Sequence, residues 1–259
     1  MCAEANNEVL RQLSERKSVR VFAEEPVTAA EREAILQAAF MAPTAGNQQL
    51  YTILDITDPG LRAQLAELCD HQPMIAAAPL CLVFLADCRR WLDAYRMAGC
   101  TPRTPGAGDL LLAAADACIA AQNSVTAAQS LGIGSCYIGD ILENAEAVQA
   151  ALHLPAYVVP AAMVIFGRPT AQQEHRQKPA RFPEQAIVFE NTYPEADPDR
   201  LRAGFAARAE ANGNTADLDE SLRAFCARKY ESDFSREMTR SAEVYLRDFR
   251  SDDSPRGES

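Results

Sequence analysis

The chain has 259 residues, of which 48% are hydrophobic and 24% are charged, which is enough apolar content to bury one large core or two small ones. The formal net charge of -11 would repel phosphate backbones and anionic lipids, so we expect neither nucleic acid nor membranes as partners. Because the first twenty residues lack an apolar stretch and the apolar run over residues 75–86 is too short to span a bilayer, we expect a cytoplasmic protein.

Eight cysteines and three histidines are scattered along the chain at irregular separations. There is no C-x-x-C pair and no spacing that suits a zinc site. We therefore expect no metal centre. Most cysteines should be reduced thiols, and several of them, including Cys136, should pack in the core as small hydrophobic residues.

The predicted elements alternate between helices and strands. Apolar spacing indicates a first helix over residues 6–15, and Thr28 and Glu31 form a capping box that opens a second helix ending near Ala39. Further helices are predicted over residues 58–69, 109–131 and 144–152. Strands are predicted over residues 51–55, 80–86, 134–137 and 158–166.

The long helix over residues 109–131 is rich in alanine and follows a loop, residues 101–108, that contains several Pro and Gly residues. Apolar residues nearly all around this helix indicate the centre of a fold or a subunit interface. The loop either lines a ligand pocket or is a spacer. We expect one domain over residues 1–195, a C-terminal helical extension over 196–250 that packs on it, with amphipathic helices from 217 to 249, and a disordered tail over 251–259.

A cluster of cations follows the first helix in the segment Arg16-Lys17-Ser18-Val19-Arg20. In an extended backbone alternate side chains share a face, so two arginines and a serine would point together and Lys17 would point away. Arginine forks match phosphate oxygens in a bidentate way, so this face predicts an anion site. The alternative is a solvated basic stretch after a helix.

Three other stretches are candidates for ligand binding. Residues 42–49 place hydrogen-bonding side chains around a glycine, which suits a planar heterocycle but also suits a helix stop followed by a polar turn. Residues 132–139 contain three glycines that would admit a flat ligand, although a helix C-cap explains Gly132. Lys178 and Arg181 would complete a phosphate site or lie in an ordinary surface loop.

These stretches together resemble the flavin-dependent nitroreductase family, in its branch of NAD(P)H:flavin and oxygen-insensitive nitroreductases. The resemblance covers residues 7–191. It is carried by R-K-S-V-R-V-F, A-P-T-A-G-N-Q-Q, His71-Gln72, S-L-G-I-G-S-C-Y-I-G and K-P-A-R-F-P. It implies an α+β sandwich with a central, mostly antiparallel sheet and a long central helix. It also implies an intertwined homodimer with FMN in two sites across the interface.

The resemblance assigns FMN binding to a set of residues along the chain. These are Arg16, Lys17, Ser18, Arg20, Thr44, Ala45, Asn47, Gln72, Tyr137, Ile138, Gly139, Lys178 and Arg181. Arg16 and Ser18 would hold the phosphate together with Lys178 and Arg181. The family loop commonly reads K-P-R, whereas Ala180 separates the two cations here, so the resemblance leaves open which of them reaches the phosphate.

The other assignments concern the ribityl chain and the ring. Arg20 would lie near the ribityl chain and the N1/O2 edge, and Gln72 would meet the pyrimidine edge. Residues 137–139 would pass beside the ring, with a backbone N–H near N5. Residues 44–47 would lie where the partner subunit approaches the cofactor.

The activity implied by the resemblance is ping-pong hydride transfer, in which NAD(P)H reduces the flavin and an acceptor then takes its place. Nitroaromatics, quinones and flavins are the expected small-molecule acceptors, and no residue is expected to act as a general acid. The physiological acceptor and the choice between NADH and NADPH stay open. The alternatives are a flavin-binding protein without turnover and a family member with a specialised reductive reaction such as dehalogenation.

Overall fold

The computed structural model describes residues 7–250 of the chain. Cys2 and the predicted tail over residues 251–259 lie outside the described residues. The described residues divide into two compact units. The first contains residues 7–176 and 237–250, and the second contains residues 177–236.

The first unit is built on a four-stranded sheet. Its strands are β1 (Tyr51–Asp55), β2 (Leu80–Asp87), β3 (Gly134–Ile138) and β4 (Val158–Gly167). They lie in the order β1-β2-β4-β3, and each neighbouring pair is antiparallel. The predicted α+β class and its antiparallel sheet are therefore confirmed, and the predicted strand bounds agree to within a residue.

Helices cover both faces of this sheet. In chain order they are α1 (Glu8–Glu15), α2 (Ala29–Phe40), α3 (Pro59–Leu68), α4 (Pro73–Ala77), α5 (Arg89–Met97), α6 (Ala107–Ser130), α7 (Ala145–Leu152) and α8 (Ala171–His175). Leu82 and Phe84 of β2 pack on the side of α2 and α6, while Cys81 and Val83 pack on the side of α3, α4 and α7. Every residue of β2 is buried, and residues 80–86 accordingly form a continuous apolar run rather than an alternating pattern.

The long helix α6 packs against the sheet, and its buried positions are mostly alanine, which lets the helix backbone approach closely. It begins two residues earlier than predicted because Gly106 is its N-cap and donates its N–H to the Asp109 carboxylate at 2.8 Å. Among residues 7–250 it is the one helix long and apolar enough to cross a membrane by length and composition. One face of α6 is buried against the sheet, so its apolar residues also serve to pack the protein core.

Local signals in the sequence explain where the first helices begin. Asn7 caps α1 by accepting from the N–H of Val9 at 3.0 Å. The predicted capping box of α2 is confirmed, because the Thr28 hydroxyl accepts from the Glu31 N–H and the Glu31 carboxylate accepts from the Thr28 N–H. The cysteines of residues 7–250 are free thiols, and Cys136 is buried in the core as predicted.

Three helices lie outside the predicted elements. They are α4, α5 and α8. The sequence of α5 is dominated by charged residues, and its cap comes from the residue before the N-cap: the Asp87 carboxylate accepts from the N–H groups of Arg89 and Arg90, both at 3.0 Å. Such a cap falls outside the usual N-cap position, so the start of α5 carries no standard signal.

The second unit contains α9 (Pro198–Ala211) and α10 (Leu218–Lys229). In it, Phe182 packs edge-on against Phe205, with ring centroids 4.9 Å apart, and Arg208 lies over the Phe182 ring. The predicted helical stretch over 217–249 is interrupted after Lys229 and resumes as α11 (Asp233–Leu246), which continues into the first unit. The predicted domain boundary at residue 195 stays a prediction.

Gly134 provides a direct test of the packing at the start of β3. A Cβ placed there would lie 2.5 Å from Cγ2 of Val19, so Gly134→Ala should destabilise the protein by about 1–3 kcal/mol through overpacking. The measurement is the urea midpoint of unfolding.

The matched control is Gly108→Ala in the first turn of α6, where an added Cβ meets nothing within 4 Å. This change should be neutral or slightly stabilising, because alanine favours helix over glycine. Equal midpoints for Gly134→Ala and wild type would contradict the contact with Val19.

Candidate functional site

The cationic segment predicted to bind an anion lies in extended form along β3. Ser18 pairs with Ser135 in a parallel bridge, and the N–H of Val19 donates to the carbonyl of Ser135 at 2.9 Å. Val19 is buried against Gly134, where no side chain larger than hydrogen fits. This glycine was expected to admit a flat ligand, but the space beside it is occupied by Val19. This contact fixes where along β3 the cationic segment lies.

Lys17 and Arg20 of this segment both contact α8. The Lys17 ammonium donates to the carbonyls of Glu174 and Arg176 at the end of α8, at 2.5 and 2.6 Å. Arg176 in turn donates to the carbonyl of Ser18. Arg20 is exposed, and its backbone N–H donates to the side-chain oxygen of the buried Gln173 at 3.3 Å. The Lys17 ammonium is therefore engaged with α8, and the shared face predicted for Arg16, Ser18 and Arg20 stays a prediction.

Arg16 carries a buried polar atom that the described residues leave unsatisfied. Its Nε is buried and has no hydrogen-bond partner among the described residues. Arg16 lies close enough to Tyr137 to act on the phenol: burial, with a smaller contribution from Cys118, raises the pKa of Tyr137 to about 12, and the positive charge of Arg16 opposes this rise. The Tyr137 hydroxyl meets the Gln122 side chain at 3.3 Å. The structure thus brings Arg16 and the predicted ring-side residue Tyr137 together.

The end of β3 leads into an open turn. Ile138 is buried in the core, and Gly139 begins a 3-10 turn, Gly139–Leu142, in which it is exposed. A Cβ added at Gly139 would meet nothing within 4 Å. The backbone at this position therefore faces open space that a ligand can enter. Gly132 directly follows the C-cap residue of α6 and has a left-handed backbone, with φ of 71°. This agrees with the helix-terminating role that was one of its two interpretations.

Gln72 lies beside this turn, at the start of α4. Its side-chain amide donates to the carbonyl of Cys69 at 2.8 Å, and the residue is half-buried. The Asn144 amide, just after the 3-10 turn, donates to the carbonyl of Leu68 at 2.8 Å. These two bonds attach Gln72 and the segment after Gly139 to the same end of α3. The two segments predicted to meet the flavin ring, Gln72 and residues 137–139, are therefore neighbours; we call them the ring-edge segments.

The turn over residues 44–49 is held by different elements. The buried carboxylate of Asp116 in α6 accepts from the N–H of Ala45 at 3.0 Å and from the N–H of Leu50 at 3.2 Å. The Trp91 indole donates to the carbonyl of Gln48 at 2.8 Å. Asn47 is exposed and has a left-handed backbone, with φ of 56°. The hydrogen bonds of the turn thus go to α5 and α6 rather than to the Arg16–Arg20 segment.

Within the turn, Thr44 accepts from the N–H of Gln49 at 3.0 Å and Asn47 accepts from the Gln49 amide at 2.7 Å. A cavity of about 210 Å³ lies beside it, lined by Gln48, Leu50, Trp91, Tyr95 and residues of the 101–108 loop. Arg103 of that loop is ion-paired with Asp109. Residues of the loop therefore line this cavity, and the part of the loop in a ligand pocket stays a prediction.

Asp116 and Gln173 are positioning residues that the sequence analysis did not select. Asp116 is the one charged residue in the stretch 110–131. A single acid in an otherwise uncharged helix is a sequence signal that could have identified Asp116 as a buried, hydrogen-bonded residue. Its carboxylate satisfies two turn N–H groups that would otherwise be buried without partners. Gln173 carries no comparable signal, because it lies in a polar stretch.

Lys178 and Arg181 lie in the second unit. Arg181 is exposed and Lys178 is half-buried. Between them, Ala180 exchanges two hydrogen bonds with the Asn212 side chain, at 2.9 and 3.3 Å. The loop is thus fixed to the end of α9, and the part of either cation in a phosphate site stays a prediction.

Comparison with known proteins identifies relatives over most of the chain. The Nitroreductase family matches residues 13–168. The FMN reductase [NAD(P)H] of Bacillus subtilis is 32% identical over 193 residues, covering 72% of this chain and 75% of that protein. The oxygen-insensitive NADPH nitroreductase of Salmonella typhimurium is 39% identical over 182 residues, covering 70% and 72%.

A solved structure extends the likeness to the fold. NfrA2 of B. megaterium is 28% identical, has a TM-score of 0.79, and is matched over 95% of this chain and 100% of its own. The sequence relatives, the family match and the fold agree with one another. The chain belongs to the nitroreductase family.

Proposed function

We propose that the protein is an FMN-dependent oxidoreductase that uses NAD(P)H to reduce nitroaromatic, quinone or flavin-like acceptors. The observation that carries the proposal is the buried Nε of Arg16, which has no partner among the described residues and lies near Tyr137. A buried guanidinium N–H is costly unless an acceptor completes it, and a phosphate is the acceptor that arginine matches best. Relatives named as FMN and NAD(P)H enzymes support the choice of ligand.

The residues divide by the part of FMN that they would hold. Arg16 and Ser18 would bind the phosphate, with Lys178 and Arg181 as further candidates. Arg20 would lie near the ribityl chain and the N1/O2 edge, where its positive charge would stabilise negative charge on the reduced ring. Gln72 would meet the pyrimidine edge, and the backbone at residues 137–139 would run beside the ring.

When bound, FMN supplies the hydride chemistry that protein side chains lack. The role of this chain is to bind the cofactor, orient it and leave one face open for NAD(P)H and the acceptor in turn. The open space at Gly139 supports such an exposed face. No residue is assigned as a general acid, because nitro and quinone acceptors can take protons from water.

We further propose that the protein acts as a homodimer in the cytoplasm. The support for a homodimer is the outer side of α6, which exposes Leu111, Leu112 and Ile119 while the opposite side of the helix is buried against the sheet. Continuous apolar surface of this kind is typical of a subunit interface. The turn over residues 44–49, held separately by Asp116, would then approach the cofactor of the partner subunit.

The direct test of the proposed function is anaerobic reduction of the purified protein. Loaded with FMN, the protein should be yellow, and NADH or NADPH should bleach the flavin absorbance, which an added nitroaromatic or quinone should then restore. A yellow protein that neither nucleotide bleaches would instead support a flavin-binding protein without turnover. A colourless protein that takes up no FMN would contradict both.

Removal of the Arg16 guanidinium tests the phosphate assignment. Arg16→Ala should weaken FMN binding by about 10- to 100-fold, since a hydrogen bond to a charged group contributes about 1.5–3 kcal/mol. The measurement is quenching of FMN fluorescence on titration with the protein.

Lys17→Ala is the matched control, because the ammonium donates to carbonyls of α8. It should lower the thermal midpoint while changing FMN affinity much less than Arg16→Ala does. Equal losses of affinity in the two variants would refute the assignment of Arg16 and Lys17 to opposite sides of the segment.

A further inference from the structure

Glu143 is a buried carboxyl group that the proposed function does not use. It follows the 3-10 turn Gly139–Leu142, and its backbone N–H donates to the carbonyl of Asp140 at 3.0 Å. The side chain is 4% exposed, and its Oε1 has no hydrogen-bond partner among the described residues. A buried carboxylate without a partner is costly, so such a group favours its neutral, protonated form.

The groups around Glu143 add to this preference. Acidic or weakly acidic groups face it from its own turn, from the end of α3 and from α11: Asp140, Cys69, Asp70 and Glu237. Burial, followed by the charges of Asp140, Asp70 and Glu237, raises the pKa of Glu143 to about 7. The hydroxyl of Tyr245 in α11, close to Cys69, is also buried without a partner among residues 7–250.

Two basic side chains near this cluster are engaged with other carboxylates. Arg240 of α11 binds the carboxylates of Glu146 and Glu237, with all of its donor distances to them at 2.8 Å. His71, next to Asp70, is exposed and bonds to Glu67. Neither pairing gives Glu143 a positive neighbour, and no cation in the described part of the chain contributes to the change in its pKa.

Glu143 also lies where the two predicted ring-edge segments and α11 are joined. The backbone N–H of Asn144 donates to the Glu237 carboxylate at 3.1 Å, and the Asn144 amide donates to the carbonyl of Leu68 at 2.8 Å. Gln72 bonds to the carbonyl of Cys69, one residue further along. A negative charge on Glu143 would therefore repel Asp140, Asp70 and Glu237 on all three of the elements that meet there.

We propose that Glu143 is a positioning residue whose neutral form lets the segments of Gly139 and Gln72 lie together at the edge of the flavin site. Its charged form would repel the acids of both segments and loosen them. The proposal rests on the proposed function, since it takes the ligand at this edge to be FMN.

The sign of the pH dependence follows from the raised pKa. The ordinary pKa of 4.5 applies to the unfolded chain, so between pH 4.5 and about 7 the folded protein holds a proton that the unfolded chain has lost. This group therefore makes the protein less stable as the pH rises through that window. FMN affinity should fall as the pH rises through about 7, where the folded protein loses the proton.

The test compares wild type with Glu143→Gln, which keeps the shape of the side chain and cannot ionise. From pH 6 to pH 8.5 the FMN dissociation constant of wild type should rise by about three- to tenfold relative to that of Glu143→Gln. Between pH 4.5 and 7 the thermal midpoint of the FMN-free protein should also fall more steeply with pH in wild type than in Glu143→Gln. The matched control is Glu146→Gln, an exposed carboxylate three residues on whose pKa Arg240 lowers to about 2, and it should follow the wild-type pH profile.

Identical pH profiles for wild type and Glu143→Gln would overturn the proposal while leaving the FMN assignment standing. Failure to bind FMN at any pH would instead overturn the proposed function, and the midpoints of the FMN-free protein would still report on Glu143. If Glu143→Gln does not fold, carboxyl NMR of the ¹³C-glutamate-labelled wild type decides: the proposal requires one glutamate titrating near pH 7, and the absence of any glutamate titrating above pH 6 would refute it.

Discussion

The contact between Val19 and Gly134 is the constraint on which the candidate site depends. Because Gly134 has no side chain, Val19 packs directly on the start of β3, and the N–H of Val19 bonds to the carbonyl of Ser135 at 2.9 Å. That bond fixes the register of the cationic segment against β3. In the same segment, Lys17 donates to carbonyls at the end of α8, and Arg16 lies close enough to Tyr137 for its charge to act on the phenol. The chain thus builds one local positive site in a protein whose net charge is -11.

The helix α6 combines packing and positioning. Its alanines let it lie close to the sheet, while its one buried acid, Asp116, holds the turn over residues 44–49 by two backbone N–H groups. A buried carboxylate with two such bonds is satisfied, whereas Glu143 is buried with an oxygen that has no partner within residues 7–250. The contrast separates two uses of a buried acid: Asp116 fixes backbone geometry, and Glu143 makes the neighbouring geometry depend on protonation.

Signals that act within a few residues could be interpreted from the sequence, whereas those that act across the fold could not. The capping box at Thr28 and the apolar run of β2 define their elements locally, and they were predicted with nearly correct bounds. The role of Gly134 depends on Val19, more than a hundred residues away in sequence, so it was assigned to a ligand instead. Glu143 and Asp116 are acids whose burial follows only from the packing of α11 and α6. The assignment of individual residues to FMN came from the family resemblance and remains a proposal.

The central claim is that Arg16 is held at the edge of the sheet to receive a phosphate. The most direct test compares FMN with riboflavin, which has the same ring and ribityl chain without the phosphate, by isothermal titration calorimetry of the cofactor-free protein. Two or more charge-assisted hydrogen bonds to the phosphate predict that FMN binds about 100-fold more tightly or better. Equal affinity for the two compounds would contradict the account.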